Sequence, residues 1–375
     1  MTNIFKGNTY VLGMEIFLPI VQVKIDIIFI LFLSFGVGVL SGLFGVGGGF
    51  LMTPFLIFLG IPPVYAVPNE ITNILSTSVS GSLTHWFKST LDYKMGSMII
   101  IGGVVGTTLG MTAFNFFNEI GKLSLIISLS YMYLLAIIGT LMLIQGVAEI
   151  DRERKKINLK QKLHSHYWIH GLPFKVRFPK SRLYESVFTP IILGVFTGFV
   201  AALIGVGGAF LMVPAMIYLI GMPVKLIPGT SLFVTVFISA IVTVLHAFNY
   251  GSIDLVLAIN LIIGSIIGVQ VGQKVGQHLD SSHLKTLFAM LLCCVAIAIA
   301  YDTFFFEGVK TLNIQENFDV RNLNSFSKYI IKLSEKSPLL YGSFTIILAI
   351  VLGVISAGIR QLLSKYRNKI LIKKI

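Results

Sequence analysis

The stretch GVGGGFLMTP, Gly45 to Pro54, breaks into an oily region of this chain. Ile27 to Phe44 precedes it without a single charge. Glycine and proline are poor helix formers, so this run marks a turn between two apolar helices. Two full crossings of a bilayer core need roughly 40 helical residues before any turn is counted. Ile27 to Gly60 is shorter than that. The turn is therefore predicted to stay within the membrane envelope. Non-helical backbone at that depth is tolerated only inside protein or along a wet cavity. Glycines there leave N–H groups bare, and a helix starting at such a turn aims its positive end at whatever is bound. That suits an anion. Pro54 is expected to interrupt the following helix again.

Composition agrees with a membrane protein. Hydrophobic residues make up 55% of the 375 and charged residues 12%. Further apolar windows run from Leu123 to Ile144, Leu255 to Val271 and Leu284 to Phe306, each about the length of a span. No secretory signal pattern stands out at the start, and Val11 to Val23 could lie in the interface or extend the first span. The net charge of +13 gathers in a loop between Arg152 and Arg182 and in the tail from Arg360 to Lys374. A positive-inside bias accounts for both, so no nucleic-acid partner is implied. The only cysteines, Cys293 and Cys294, are adjacent and cannot build a disulfide framework.

The opening stretch recurs as GVGGAFLMVP at Gly205 to Pro214, 160 residues later, where Pro214 is a second expected break. Gly60 and Pro62 match Gly221 and Pro223, His85 matches His246, and Asp92 matches Asp254. Gly102, Gly106 and Gly110 fall on Gly264, Gly268 and Gly272, a small-residue face read as helix packing. The chain thus divides into an N-terminal segment (1–25), a first transmembrane repeat (26–148), a basic cytoplasmic loop (149–186) and a second repeat (187–306). A polar extracytoplasmic loop (307–338) and a last helix with a basic tail (339–375) follow. Five hydrophobic segments per repeat, an odd crossing number, would invert the second copy. Lys88 and Lys94 flank the 88–94 turn, whereas the matching 250–254 turn has no Lys or Arg, as inversion requires. The expected fold is an all-α polytopic membrane protein. It has two inverted-topology repeats, short broken or re-entrant helices at the glycine motifs, and one extra C-terminal span.

Candidate substrate-binding residues are Gly45, Gly47, Gly48 and Gly49 with their counterparts Gly205, Gly207 and Gly208. Asn73 and Ser76 of the first copy's third segment join them, with Thr230 and Ser231 of the second. Asn73, Ser76, Thr77 and Ser80 form one helical stripe that could replace an anion's hydration shell or simply bond between helices. Glu70, His85 and His246 are candidate proton carriers. Against that, the histidines could anchor helix ends. Glu70 follows Asn69 at an expected helix start, where Asn69 would cap. Asp92 and Asp254 also precede helices and read as caps. His164, His166 and His170 lack partners for a metal site, and neither metal nor cofactor is expected. Nucleotide motifs fail, since no G-K-[ST] follows the glycines.

The paired G-V-G-G-[GA]-F-L-x-x-P stretches, the glycine runs near Gly102 and Gly264 and the P-G-T-S-L run at Pro228 to Leu232 resemble the TauE/SafE family of sulfite exporters, the TSUP permeases. The likeness covers nearly all of 27–300. It implies a polytopic inner-membrane permease of bacterial type for a small anion such as sulfite, thiosulfate or a sulfonate; the positive-inside count places the basic C-terminus in the cytoplasm. Two departures stand out. The first copy has P-N-E-I-T at Pro68 to Thr72, and the chain extends from Glu307 to Ile375. The expected partners are the anion and the lipid bilayer, and no enzymatic motif appears. The alternatives are a membrane thiol-disulfide relay, which needs cysteines facing each other across a cavity, and a permease for an unrelated solute.

Overall fold

The computed structural model describes residues 15–44, 51–154, 173–223, 225–276, 281–305 and 325–372. Twelve helices dominate these residues. The first repeat contains α1 (Ile27–Phe44), α2 (Met52–Phe58), α3 (Pro63–Phe87), α4 (Tyr93–Glu119) and α5 (Leu123–Arg154). The second contains α6 (Phe188–Ile204), α7 (Ala209–Ala215) running into a π-helical turn (Met216–Ile220), α8 (Ile227–Tyr250), α9 (Leu255–Gly276) and α10 (Ser281–Phe305). α11 (Ser325–Lys336) and α12 (Pro338–Ile372) close the chain. Among the described residues six helices are long and apolar enough to cross a membrane: 93–119, 123–151, 227–250, 255–275, 286–304 and 338–362. The apolar stretches 27–43 and 188–204 are shorter.

The expectation of an all-α chain needs one correction. Two antiparallel hairpins precede the repeats: β1 (Glu15–Leu18) with β2 (Val23–Asp26), and β3 (Lys175–Phe178) with β4 (Leu183–Ser186). Each reverses over four residues that begin with a proline and end in a left-handed residue, Gln22 at φ 59° and Arg182 at φ 56°. The duplication therefore extends back to Glu15 and Lys175, into segments read as an N-terminal segment and a loop. The signal was only four residues long on each strand, too short for a periodicity argument.

Helix pairing follows the duplication. α1 packs on α9 and α4 on α6, α3 meets α8, and α5 meets α10. The α1–α9 and α4–α6 pairs are close because glycines line them. A Cβ added to Gly106 would lie 2.1 Å from the Val195 carbonyl oxygen, and one on Gly272 would lie 2.1 Å from that of Val39. No side chain fits, so backbone meets backbone, the packing that replaces the hydrophobic effect inside a bilayer. Successive glycines, Gly102, Gly106 and Gly110, meet Ile191, Val195 and Phe199 in order, so α4 and α6 run parallel. α3 and α8 run antiparallel instead. Gly229 at the start of α8 lies against His85 at the end of α3, and Asn69 near the start of α3 donates to the Ser252 carbonyl just past α8.

Asp92 and Asp254 cap α4 and α9 as expected. Asp92 accepts from the Met95 N–H, and Asp254 from those of Val256 and Leu257. The sequence concealed their second task. The other carboxylate oxygen of Asp254 accepts from the Ile20 and Val21 N–H groups, gripping the first hairpin's turn from the second repeat. That of Asp92 takes the Ser181 N–H and hydroxyl, gripping the second hairpin from the first repeat.

Candidate functional site

The second glycine turn is the described one; Gly45, Gly47, Gly48 and Gly49 lie outside the described residues. Gly205, Gly207 and Gly208 all take left-handed φ, at 87°, 72° and 77°. A side chain there would be strained, which is why the run is glycine. α6 ends at this turn and α7 starts from it, only seven residues long. Its rise is about 10 Å, a third of a bilayer core. Pro214 breaks it as expected: the chain widens into the π-helical turn directly after the proline. Pro54 behaves differently. It falls in the first turn of α2, where its missing N–H has no intrahelical partner to lose, so it does not interrupt that helix.

The turn docks across the repeat boundary. Gly205 lies beside Thr53 of α2 and Val67 of α3, and Gly207 lies against Ile74 of α3. Val67 and Ile74 stand one helical turn to either side of Glu70. Around Glu70 the interior is polar and closed. Glu70, Asn73 and Ser76 are wholly buried, as is Thr53. The Asn73 amide donates to both Glu70 carboxylate oxygens, at 3.3 and 3.2 Å, and to Ser265 Oγ of α9 at 3.0 Å. Asn73 Oδ1, Ser76 Oγ and Thr53 Oγ1 have no hydrogen-bond partner among the described residues. The Tyr131 hydroxyl of α5 approaches Thr53 and lies within electrostatic reach of Glu70, but makes no bond of full geometry. Buried polar atoms are almost always paired. Three such orphans gather around the buried Glu70, and one of them, Thr53, lies beside the backbone turn.

Glu70 does not sit at a helix start. α3 begins at Pro63, seven residues earlier, with Pro68 inside it. Asn69 is no cap. Its amide donates to the Tyr65 and Ser252 carbonyls, and its oxygen accepts the Asp254 N–H, tying α3 to α9's start. The sequence reading mistook Pro68 for a first-turn proline because Pro-Asn-Glu has the composition of a helix N-terminus.

Thr230 and Ser231 are not brought to this cluster. They lie at the opposite end of α3, near His85, and their hydroxyls donate to the Leu226 and Pro228 carbonyls. Thr235, Ser239 and Thr243 likewise donate back to their own helix. The second copy's stripe is spent locally, while the first copy's is partly orphaned. The histidines also part. His85 bonds Thr90 through Nδ1 at 2.8 Å, at the close of α3. His246 is buried, and its Nε2 is 3.1 Å from the Ala202 carbonyl, three residues before Gly205. Phe114 packs edge-on against its ring. His246 thus steadies the end of α6 that leads into the glycine turn.

Three site residues escaped the sequence reading: Thr53, Tyr131 and Ser265. Thr53 and Ser265 carried a faint signal, because each is polar where the other repeat has Val213 or Gly103. Tyr131 carried none. An apolar groove of about 500 Å³ between α5, α6 and the π-helical turn is lined by exposed Leu141, Phe196 and Leu219 and holds none of the candidates.

Broken helices enclosed by apolar spans, with polar groups held at the break, define a multi-pass membrane transporter. The family follows from comparison with known proteins. Residues 30–299 match the family model described as Sulfite exporter TauE/SafE, and the chain belongs to that family. It is 28% identical over 236 residues to the Bacillus subtilis "Probable membrane transporter protein YjnA", covering 63% of this chain and 84% of that one. A second Bacillus subtilis relative, "Probable membrane transporter protein YunE", is 25% identical over 72% of this chain and 95% of its own. A "Probable membrane transporter protein" of Xylella fastidiosa is 23% identical over 71% of this chain and 91% of its own. No solved structure matches.

Proposed function

We propose that the protein carries a small sulfur oxyanion or sulfonate across the membrane, by alternating access at a midplane site between two inverted repeats. The observation that carries this reading is the contact of the Gly205–Gly208 turn with the orphaned Thr53 and with Val67 and Ile74 of α3, the helix that carries the orphaned Asn73 and Ser76. Neutral amides and hydroxyls can replace an oxyanion's hydration shell while binding weakly enough to release it. The antiparallel course of α3 and α8, and the reciprocal pairing of α1 with α9 and α6 with α4, support inversion. The family's printed description, a sulfite exporter, supports the substrate class.

Glu70 would repel an oxyanion while ionised and donate to it while protonated. It is therefore the group we assign to proton coupling, with the anion and a proton moving together. His85 and His246, engaged with Thr90 and Ala202, are better suited to support. The thiol relay is disfavoured, since both cysteines lie on α10 with no third thiol in the chain to oppose them.

The test is uptake into proteoliposomes of labelled sulfite, thiosulfate, sulfate and an alkanesulfonate, with and without a pH gradient. At least one sulfur anion should move, faster with the gradient. Glu70→Gln should retain downhill flux and lose the gradient's effect. If none of the four moves while another solute does, the substrate assignment fails. A gradient response surviving in Glu70→Gln removes Glu70 from coupling.

A further inference from the structure

The last span, α12, lies beyond the family-matched residues, yet it packs against α3, α8 and α9 at the heart of the bundle. It runs parallel to α3 and close to it. A Cβ on Gly353 would meet the Ser76 carbonyl at 2.5 Å, Ser356 Oγ lies 3.1 Å from Ser80 Oγ, and Arg360 reaches Thr84. α12 thus covers the polar stripe of α3 from the orphaned Ser76 to the helix end.

Arg360 is the unusual member of this pairing. Its guanidinium donates to Thr84 Oγ1 at 3.3 Å and to Gln273 Oε1 of α9, both neutral acceptors. Among the described residues it makes no salt bridge to a carboxylate. Two of its five N–H donors are taken in these bonds, and the others have no described protein acceptor. His85 lies within electrostatic reach of both Arg360 and Lys88, so this end of the bundle gathers positive charge. Gln270 Nε2 donates to Ser356 Oγ at 3.0 Å, continuing the polar lining inward. A half-buried guanidinium without a counter-ion is costly in a membrane protein, and such residues mark ion pathways. Its planar fork matches two oxygens of an oxyanion.

We infer that α12 adds an entry site for the permeant oxyanion: Arg360, steadied by Thr84 and with His85 nearby, holds the anion at the 88–94 end of the bundle before it passes along Ser356 and Ser80 to Ser76 and Asn73. This inference rests on the transport reading, to which it adds a charged outer station about 12 Å along α3 from Ser76 of the neutral inner one.

The chain has two tryptophans, Trp86 and Trp168. Trp168→Phe leaves Trp86, next to His85, as the sole reporter. The purified full-length protein is titrated with sulfite and with methanesulfonate at constant ionic strength, and fluorescence is read. A saturable change is expected. Arg360→Gln should raise its midpoint by about tenfold or more, the weight of a charge-assisted bidentate contact. Arg360→Lys keeps the charge but loses the fork, so its midpoint should fall between the two. The site is overturned if the wild-type signal is absent or is matched by chloride, or if Arg360→Gln leaves the midpoint unchanged. Should Arg360→Gln not stay monodisperse, an unchanged midpoint in Arg360→Lys overturns it equally. Intact titration with no uptake of any tested anion keeps the site and removes the transport substrate. Normal uptake kinetics and normal binding in Arg360→Gln remove the site and keep the transporter.

Discussion

At the scale of single residues, the glycines of the second turn separate two roles that share one φ region. Gly207 has φ 72°, and an added Cβ would lie 2.5 Å from Ile74 Cγ2. Gly208 has φ 77°, but its Cβ would meet nothing closer than 3.5 Å. A left-handed non-glycine residue costs about 1–2 kcal/mol, and overpacking adds about 1–3 kcal/mol. Gly207→Ala should therefore lower the thermal midpoint in detergent clearly more than Gly208→Ala, and should slow uptake by displacing the turn from α3. Equal midpoints for the two variants would show that Ile74 yields freely and that the turn does not need its present distance from Glu70. The same scale separates the one serine of the first copy's stripe that is left unpaired from its neighbours and from the second copy. Thr230 and its followers satisfy themselves on their own helix carbonyls, whereas Ser76 Oγ does not.

At the scale of elements, the hairpins and the helices they precede are locked by reciprocal aspartates. Asp254 takes four backbone N–H groups, two from its own helix start and two from the first hairpin's turn. Leaving buried N–H groups unpaired costs about 1–3 kcal/mol each. Asp254→Ala should destabilise the protein by about 3 kcal/mol or more, read as a lower thermal midpoint. Asp254→Asn, which keeps one acceptor oxygen, should cost less than half of that. Protease sensitivity should rise first within 15–26, because the hairpin turn loses its grip there. A neutral Asp254→Ala would mean that strand pairing alone holds the hairpin. Capping by both aspartates was legible in the sequence, since an acidic residue before an apolar run has a local reason to be there. The cross-repeat grip was not legible, because it joins positions 234 residues apart that share no sequence signal.

At the scale of the whole molecule, the third helices of the two copies, α3 and α8, point in opposite directions. α3 ends beside the start of α8, so Lys88 and Asn249, both exposed, belong to opposite ends of the bundle. In a cysteine-free background, Lys88→Cys and Asn249→Cys should react with a membrane-impermeant maleimide from opposite sides of the vesicle. Labelling of both from one side would dissolve the inverted arrangement and with it alternating access between the repeats. The symmetry is incomplete, and the incompleteness is informative. α12 packs more extensively on α3 than on α8, and Glu70, Asn73 and Ser76 have no polar equivalents apart from Thr230. The buried unpaired hydroxyl and amide groups of α3 have no counterpart on α8, whose serine and threonine hydroxyls bond to their own helix.

What the sequence determined was whatever depends on near neighbours and on composition. The spans follow from apolar runs matched to bilayer thickness, the duplication from repeated glycine and proline spacing, and the broken second helix from Pro214. Glycine faces spaced every four residues announced close packing, because one helix turn fixes which side they share. The tertiary structure alone decided which partner each face meets and which polar groups are left over. Whether Ser76 or Thr230 is spare depends on what lies across from it after folding, and Thr53, Tyr131 and Ser265 join Glu70 only because three distant helices converge there. Hydrogen-bond satisfaction is a property of the assembled interior, and no local pattern encodes it.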